Sequence, residues 1–133
     1  MCGISGIWNK NSNFNNDLLD QVSKMAQIME YRGPDNKGSW VEEKDGIALS
    51  HARLSIIDLS DSGSQPMISP SGRYILVFNG EIYNHKDLRE IIETETNFKK
   101  KWRGSSDSET LLSLIDTLGI RNSLEKIVGM FAF

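Results

Sequence analysis

The first helical pattern of the chain follows a polar segment. Between Asp17 and Glu30 the apolar residues recur every three or four positions, as one face of a helix requires: Leu18, Leu19, Val22, Met25, Ala26 and Met29. Asn16 is the expected N-cap of this helix. A glycine and a proline follow at positions 33 and 34, so the helix is predicted to stop near Tyr31.

Two longer helices and one short helical piece are predicted in the second half of the chain. Asn84 is placed to cap the first, with an aspartate three residues later. Ser106 and Glu109 have the spacing of a capping box at the start of the next helix, which Gly119 is expected to end. A short helical piece is predicted near Leu124.

Apolar runs outside these helices are short, as in β-strands. Strands are predicted from Ile4 to Trp8 and in four further segments: Ser39–Glu42, Ile47–Leu49 running into His51–Ile57, Arg73–Gly80 and Gly129–Phe133. The run Arg73–Gly80 is predicted as one strand closed by an Asn-Gly turn. Strands and helices mix without regular alternation, which predicts an α+β fold.

Composition narrows the class of protein. The chain has 133 residues, of which 38% are hydrophobic and 25% charged, as in a single folded domain. A net charge of -3 argues against nucleic-acid or anionic-membrane partners. The sequence contains no apolar run long enough to span a bilayer, and its one cysteine cannot form an internal disulfide. These features predict a soluble cytoplasmic domain.

The single cysteine, Cys2, stands directly behind the initiator Met1. If Met1 is removed, Cys2 carries a thiol and a free α-amine, whose ordinary pKa values are about 8.5 and about 7.7–8.0. The amine can then accept the thiol proton and return it to a leaving group, so that no histidine is needed. The alternative is a small buried residue of the first strand, and Cys2 alone favours that alternative.

A second candidate site follows the apolar run that ends at Phe78. The Asn79 side-chain amide and the Gly80 backbone N–H can converge on one point and form an oxyanion hole for acyl transfer, with the Glu81 carboxylate beside it. The alternative is an ordinary turn, which the Asn-Gly dipeptide alone favours.

Two isolated charged residues complete the candidate chemistry. Arg53 lies among apolar neighbours, where a guanidinium requires an anionic partner such as a substrate carboxylate or a structural aspartate, for instance Asp58. Asp107 is at the start of a predicted helix, where an acidic residue caps the helix and complements its dipole. This helical role does not exclude a ligand-binding one.

Metal and phosphate chemistry have no sequence signature. His51 and His85 have no metal-ligand spacing with Cys2 or with each other, and His51 is predicted to be a hydrogen-bonded structural histidine. A glycine-rich phosphate loop is also missing from the sequence. We therefore expect no metal and no cofactor in this chain.

The order of several segments is more specific than any one of them. They are CGISGI, YRGPD, SHARLSIIDLS, QPM, VFNGEIYNHKDLR, GSSDSETLL and GMFAF. This series resembles the glutaminase domain of glutamine-hydrolysing asparagine synthetase, a class II glutamine amidotransferase of the N-terminal-nucleophile hydrolase superfamily. The resemblance runs along the entire chain.

The resemblance implies a role for each candidate residue. Cys2, exposed by removal of Met1, would attack the side-chain amide of glutamine. The Asn79 side chain and the Gly80 N–H would stabilise the oxyanion. The substrate-binding residues would be Arg53, for the α-carboxylate, and Glu81 with Asp107, for the α-ammonium.

The resemblance also implies a fold and a larger context. The family fold is a four-layer αββα sandwich of antiparallel sheets, of which residues 1–133 would be a partial domain, truncated on the C-terminal side. ATP and Mg would be needed only in a synthetase domain that this sequence does not contain. Glutamine is the expected small-molecule partner, and a homodimer is possible.

Two other interpretations stay open at this point. The ammonia acceptor could be a sugar or cell-surface precursor instead of aspartate. Alternatively, the chain could be a catalytically silent fragment that acts only in binding.

Overall fold

The computed structural model describes residues 1–10, 17–95 and 101–133. The elements in these ranges, in chain order, are β1 (Gly3–Trp8), α1 (Leu18–Ile28), β2 (Asn36–Glu42), β3 (Ile47–Arg53), a 3₁₀ turn (Asp61–Gly63), β4 (Met67–Ile68), β5 (Ile75–Leu76), β6 (Asn79–Ile82), α2 (His85–Glu95), α3 (Asp107–Leu118), α4 (Ile120–Leu124) and β7 (Gly129–Ala132). The described strands form a three-stranded antiparallel sheet, β1-β3-β2, and the antiparallel pairs β4-β5 and β6-β7. The prediction of an α+β fold with antiparallel sheets is confirmed.

Helix α1 covers one face of the three-stranded sheet. Successive strand residues point to opposite faces, and three residues at the centre of the α1 face are serines: Ser5, Ser39 and Ser50. The Ser5 and Ser50 hydroxyls lie 2.7 Å apart, and Ser39 lies 3.1 Å from Ser23 of α1. The close approach also explains Gly3, where a Cβ atom would come within 2.9 Å of the Met29 side chain.

Gln65, Pro66 and Phe78 lie against the opposite face of the same sheet. Gly38 of β2 faces the Gln65 carbonyl oxygen, which would lie 2.0 Å from a Cβ atom at position 38. His51 of β3 lies beside Gly38 in the register and bonds the Phe78 carbonyl from this face. Arg53 follows two residues later along β3, so its side chain points to the same face.

The largest described hydrophobic core lies between the short strands and the C-terminal helices. Its buried members are Met67, Leu76, Phe78, Ile82, Leu88, Ile92, Leu111, Leu112, Leu114 and Ile115. Residues from β4, β5 and β6 thus pack against α2 and α3. The resulting order of layers is α1, the three-stranded sheet, the short strands, and α2 with α3.

The predicted single strand over Arg73–Gly80 is wrong. The chain changes partner within it: β5 pairs with β4 through Leu76 and Met67, whereas β6 pairs with β7 through Asn79 and Ala132. An apolar run marks burial but does not show which strand lies alongside. Consequently the Asn-Gly pair opens a strand and does not form the predicted turn.

The ends of two elements also differ from the predictions. Asp17 caps α1 by accepting from the Asp20 N–H at 3.1 Å, whereas the predicted cap, Asn16, lies outside the described residues. Strand β3 ends at Arg53 and not at Ile57, because the following backbone turns toward the Asp58 loop.

The C-terminal helices follow the predictions more closely. Ser106 caps α3 and Gly119 ends it at φ 79°. Only half of the predicted capping box forms, because the Glu109 carboxylate accepts from the Arg103 and Gly104 N–H groups. The Asn84 side chain does not cap α2; it bonds Lys126 and Val128 at the start of β7.

Candidate active site

The thiol of Cys2 lies at the start of β1, against the residue that follows β3. The Leu54 N–H donates to Sγ at 3.4 Å, and Sγ lies 3.6 Å from the Leu54 carbonyl oxygen. Arg32 Nε donates to the Cys2 carbonyl at 3.1 Å. Cys2 is half-buried, and the contacts with Leu54 hold its thiol at the end of the sheet.

The Arg-Gly-Pro-Asp segment contacts both Cys2 and Arg53, which lie at the same end of the sheet. Arg32 bonds the Cys2 backbone, while the Asp35 N–H donates to the Arg53 carbonyl at 3.0 Å. The Asp35 carboxylate also accepts from the Ser55 N–H at 2.7 Å. Sequence reasoning used this segment as a helix terminator and as one motif of the family resemblance, and it missed the part that Arg32 plays in fixing Cys2.

The Arg53 guanidinium is buried, with 7% of the residue exposed. Nη1 donates to the Ser60 carbonyl at 2.8 Å, and Nη2 donates to the Asp58 carbonyl. Asp58, the alternative partner predicted for Arg53, therefore bonds it through the backbone carbonyl and not through the carboxylate. These two bonds orient the guanidinium and use two of its five N–H donors.

The Asp58 carboxylate joins this loop to the segment that precedes α3. It accepts from the Ser60 hydroxyl at 2.6 Å, the Ser105 N–H at 2.7 Å and the Ser60 N–H at 2.8 Å. These bonds, above all the one from the Ser60 hydroxyl, lower the pKa of Asp58 to about 2. Asp58 thus stays ionised and holds the Arg53 loop against the segment that leads to Asp107.

Arg89 of α2 fixes the same segment from the other side. It donates to the Thr110 hydroxyl at 2.8 Å, the Ser106 carbonyl at 2.9 Å and the Gly104 carbonyl at 3.0 Å. Its guanidinium also stacks 4.1 Å from the centre of the Trp102 ring. The start of α3, where Asp107 lies, is therefore held by hydrogen bonds on two sides.

Strand β6 bonds β7 along only one of its edges. The Tyr83 N–H donates to the Val128 carbonyl at 2.8 Å, which continues the register that pairs Glu81 with Met130. Antiparallel residues alternate between pairs that exchange hydrogen bonds and pairs that do not. Counting back from Tyr83, the N–H groups of Ile82 and Gly80 face away from β7. We call the backbone groups of Phe78, Gly80 and Ile82 on this side the outward edge of β6.

Asp107 and Gln65 occupy the two ends of this outward edge. Asp107 Oδ2 accepts from the Ile82 N–H at 2.9 Å, and Gln65 Oε1 accepts from the Phe78 N–H at 2.6 Å. Gly80 lies between them with its N–H on the same edge. A Cβ atom at Gly80 would come within 2.3 Å of the Met130 carbonyl oxygen, so the close approach of β7 requires glycine here.

The remaining predicted site residues lie next to this edge. The Asn79 side-chain amide makes no hydrogen bond within the described part of the chain, and Glu81 is exposed. Asp107 is buried, with 6% of the residue exposed, and bonds the residue directly after Glu81. The structure therefore brings Asn79, Gly80, Glu81 and Asp107 together at one strand.

His51 connects the sheet with this strand. Its Nε2 donates to the Phe78 carbonyl at 3.1 Å, and its Nδ1 is buried without a partner among the described residues. Burial is the main cause that lowers the pKa of His51 to about 4, so the ring is neutral at pH 7. The prediction of a hydrogen-bonded structural histidine is confirmed. Gln65, its counterpart at Phe78, lies in the QPM segment of the family resemblance, but its role was missed because a glutamine before proline has no distinctive sequence pattern.

The described ranges contain neither a metal-binding cluster nor a membrane-spanning helix. Within residues 1–10, 17–95 and 101–133, no group of three or more His, Cys, Asp or Glu residues could hold a metal ion. No helix in those ranges is both long and apolar enough to cross a bilayer.

The two groups of residues, linked through His51 and through Asp58, together contain the parts that acyl transfer needs. One side presents a thiol and a buried guanidinium at the end of the three-stranded sheet. The other presents an unbonded side-chain amide, an outward N–H and two carboxylates on β6 and α3. A nucleophile with neutral oxyanion donors fits attack on an amide or ester carbonyl. The opposite charges fit a substrate with both a carboxylate and an ammonium group.

Comparison with known proteins identifies the family. The glutamine amidotransferase domain model matches residues 1–133. The chain is 34% identical to "Putative asparagine synthetase [glutamine-hydrolyzing] 2" of Methanocaldococcus jannaschii and to "Asparagine synthetase B [glutamine-hydrolyzing]" of Escherichia coli, and 32% identical to "Amidase chry2" of Gibberella zeae. Each match covers 100% of this chain but only 27%, 22% and 20% of the respective relative, so the chain spans about a quarter or less of their length. The chain belongs to the glutamine amidotransferase domain family.

Proposed function

We propose that this chain hydrolyses the side-chain amide of glutamine through a thioester on Cys2. The observation that carries the proposal is the outward edge of β6, where the Gly80 N–H lies between two bonded backbone groups beside the unbonded Asn79 amide. Membership of the glutamine amidotransferase family supports glutamine as the substrate.

Substrate binding divides between the two sides of the site. Arg53, oriented by the carbonyl groups of Asp58 and Ser60, binds the α-carboxylate of glutamine with its remaining N–H donors. Glu81 and Asp107 bind the α-ammonium, because Glu81 lies on β6 and the Asp107 carboxylate of α3 bonds the next residue, Ile82. Glutamine is held at both charged groups, which leaves its side chain to reach the thiol.

The reaction then proceeds in two steps, formation of a thioester and its hydrolysis. The free α-amine of Cys2 accepts the thiol proton, Sγ attacks the amide carbon, and the oxyanion is stabilised by Asn79 and the Gly80 N–H. The carbon–nitrogen bond breaks and the amine returns the proton, so that ammonia leaves and a thioester remains. Water hydrolyses the thioester to glutamate and restores the thiol. This chemistry requires removal of Met1, because otherwise the Cys2 nitrogen is part of a peptide bond.

We further propose that residues 1–133 are part of a larger αββα sandwich. A separate synthetase domain of the same protein would use the ammonia for ATP-dependent amidation of aspartate. The layer order of α1, two layers of strands and α2 with α3 supports the sandwich. The match covers only 27% and 22% of two relatives, which supports a longer protein. ATP and Mg would bind in that synthetase domain, and a homodimer and a cytoplasmic location belong to the same proposal.

A second candidate keeps the half-reaction and changes the acceptor. One relative of similar identity is named an amidase, not an asparagine synthetase. The acceptor in this second candidate is a sugar or cell-surface precursor, the alternative that the sequence left open. A binding role without catalysis is the third possibility. The presence of all six predicted site residues argues against it.

The test of the proposal uses the fact that the chain has one cysteine. Intact mass first establishes whether Met1 has been removed. A diazo-ketone analogue of glutamine should then add one label, glutamine should protect against it, and Cys2→Ala should neither label nor release ammonia. A protein that lacks Met1 and still shows no glutamine-protected label would contradict the proposal. Ammonia release by Cys2→Ala at the parental rate would contradict the assignment of the nucleophile.

A further inference from the structure

We infer that Gln65 and His51 are positioning residues for the oxyanion donors, an inference that rests on the proposed function. They act through the backbone of Phe78, the residue directly before Asn79. Gln65 Oε1 accepts from the Phe78 N–H at 2.6 Å, and His51 Nε2 donates to the Phe78 carbonyl at 3.1 Å. Both backbone groups of one residue are thus held by side chains and not by a neighbouring strand.

The far ends of both side chains are themselves fixed. His51 is fully buried in the central strand β3, between β1 and β2. Gln65 is also buried; its Nε2 donates to the Ser108 hydroxyl of α3 at 3.3 Å, and its carbonyl oxygen lies against Gly38 of β2. The Phe78 backbone is therefore attached to the sheet through His51 and to the start of α3 through Gln65.

The position of the Gly80 N–H depends on this attachment. The outward edge of β6 has no neighbouring strand in the described part of the chain, and β7 bonds only the other edge. Gln65 and His51 fix the edge at Phe78, and Asp107 fixes it at Ile82. Gly80 lies midway between these attachments, so its N–H is aimed by them. An oxyanion donor must lie within about 2.7–3.1 Å of the developing charge, and small displacements are costly.

Two pairs of variants test this inference in the protein from which Met1 has been removed. His51→Leu removes the donor to Phe78, while His51→Gln keeps an amide N–H within reach of the same carbonyl. Gln65→Met removes the acceptor, and Ser39→Ala on the α1 face of the sheet is the matched control. We expect kcat for glutamine hydrolysis to fall about 10- to 100-fold in His51→Leu and Gln65→Met. This is the range seen in metalloenzymes when a residue that orients a metal ligand is replaced. KM should change less than about threefold, because the oxyanion forms only in the transition state.

The conservative variant separates positioning from general stability. His51→Gln should recover most of the lost kcat, and Ser39→Ala should keep the parental value. Folding of each variant is checked by circular dichroism. Parental kcat in folded His51→Leu and Gln65→Met would overturn the inference, as would a rise in KM with unchanged kcat.

Amide hydrogen exchange distinguishes failure of this inference from failure of the proposed function. Gln65→Met should raise the exchange rate of the Phe78 amide about tenfold, the effect of losing one buried hydrogen bond, with β2 unchanged. If the parental protein releases no ammonia, the proposed function fails, and exchange at Phe78 still decides whether the attachment exists. Unchanged exchange at Phe78 would overturn the inference whatever the activity.

Discussion

The three-stranded sheet and the β6-β7 pair hold site residues in different ways. In the central strand β3, the consecutive residues Ser50, His51, Ala52 and Arg53 are all buried, with helix α1 on one face and Gln65, Pro66 and Phe78 on the other. In β7, by contrast, Met130 is 65% exposed. Packing on both faces fixes the sheet, whereas strand β6 is held by backbone bonds to β7 on one edge and by side-chain hydrogen bonds on the other. The proposed nucleophile, Cys2, lies at the end of the packed sheet, and the proposed oxyanion donors, Asn79 and Gly80, lie on β6.

This difference predicts that substitutions in the two regions have different consequences. Changes on β6 that leave its backbone bonds intact should affect the reaction more than the free energy of unfolding. Changes at buried sheet residues should affect the free energy of unfolding and its dependence on pH. Four predictions test this contrast.

The largest effect is expected from Asn79→Ala. The side-chain amide bonds no described residue, so its loss should leave the free energy of unfolding within about 0.5 kcal/mol of the parental value. Loss of an oxyanion donor should lower kcat about 10²- to 10³-fold, or about 2.7–4 kcal/mol. Steady-state ammonia release and urea unfolding measure the two quantities. An Asn79→Ala protein with parental kcat would remove Asn79 from the oxyanion hole.

His51 should make the stability of the folded chain depend on pH. Its pKa is about 4 in the folded chain, mainly through burial and further through the nearby Arg53, against 6.5 in the unfolded chain. Between pH 4 and 6.5 the unfolded state therefore binds more protons, so stability rises with pH across that window. The contribution of His51, about 3 kcal/mol, is present above pH 6.5 and lost as the pH falls toward 4.

His51→Gln isolates this contribution from the carboxylates that titrate nearby. The variant keeps a donor to Phe78 but has no titrating ring. Its urea-unfolding free energy should fall less steeply than the parental value between pH 6.5 and 4. Parallel pH profiles for the two proteins would show that the ring is not buried in the neutral form.

Local signals made much of this structure predictable from the sequence. The three-residue spacing of Ser106 and Glu109 located the start of α3, and Gly119 located its end. The apolar periodicity after Asp17 located α1. Such features depend on residues a few positions apart, so the sequence contains them directly.

Long-range pairing could not be predicted in the same way. The apolar run up to Phe78 does not show that β5 turns to β4 while β6 turns to β7. Nor does any local pattern show that Gln65 and His51 meet at one backbone residue. The site residues were predicted by the order of motifs along the chain, and the residues that hold their backbone required the structure.

A smaller effect is expected from Ser106→Ala. The Ser106 hydroxyl accepts from the Glu109 N–H at 3.2 Å and caps the helix that begins with Asp107. Its loss should lower the free energy of unfolding by about 1 kcal/mol. Because Arg89 and Asp58 also hold this segment, KM for glutamine should change little. A large rise in KM would show that the cap itself sets the position of Asp107.

The smallest effect is expected from Met130→Thr on β7. Because Met130 is 65% exposed and threonine is well suited to strands, the free energy of unfolding should change by less than about 0.5 kcal/mol. The same substitution at Met67, which is 2% exposed in the core, is the matched comparison and should cost about 2–5 kcal/mol. Urea unfolding of both variants measures the difference in packing between the two regions. Equal losses would mean that β7 is packed as tightly as the core, and the contrast between sheet and strand pair would no longer hold.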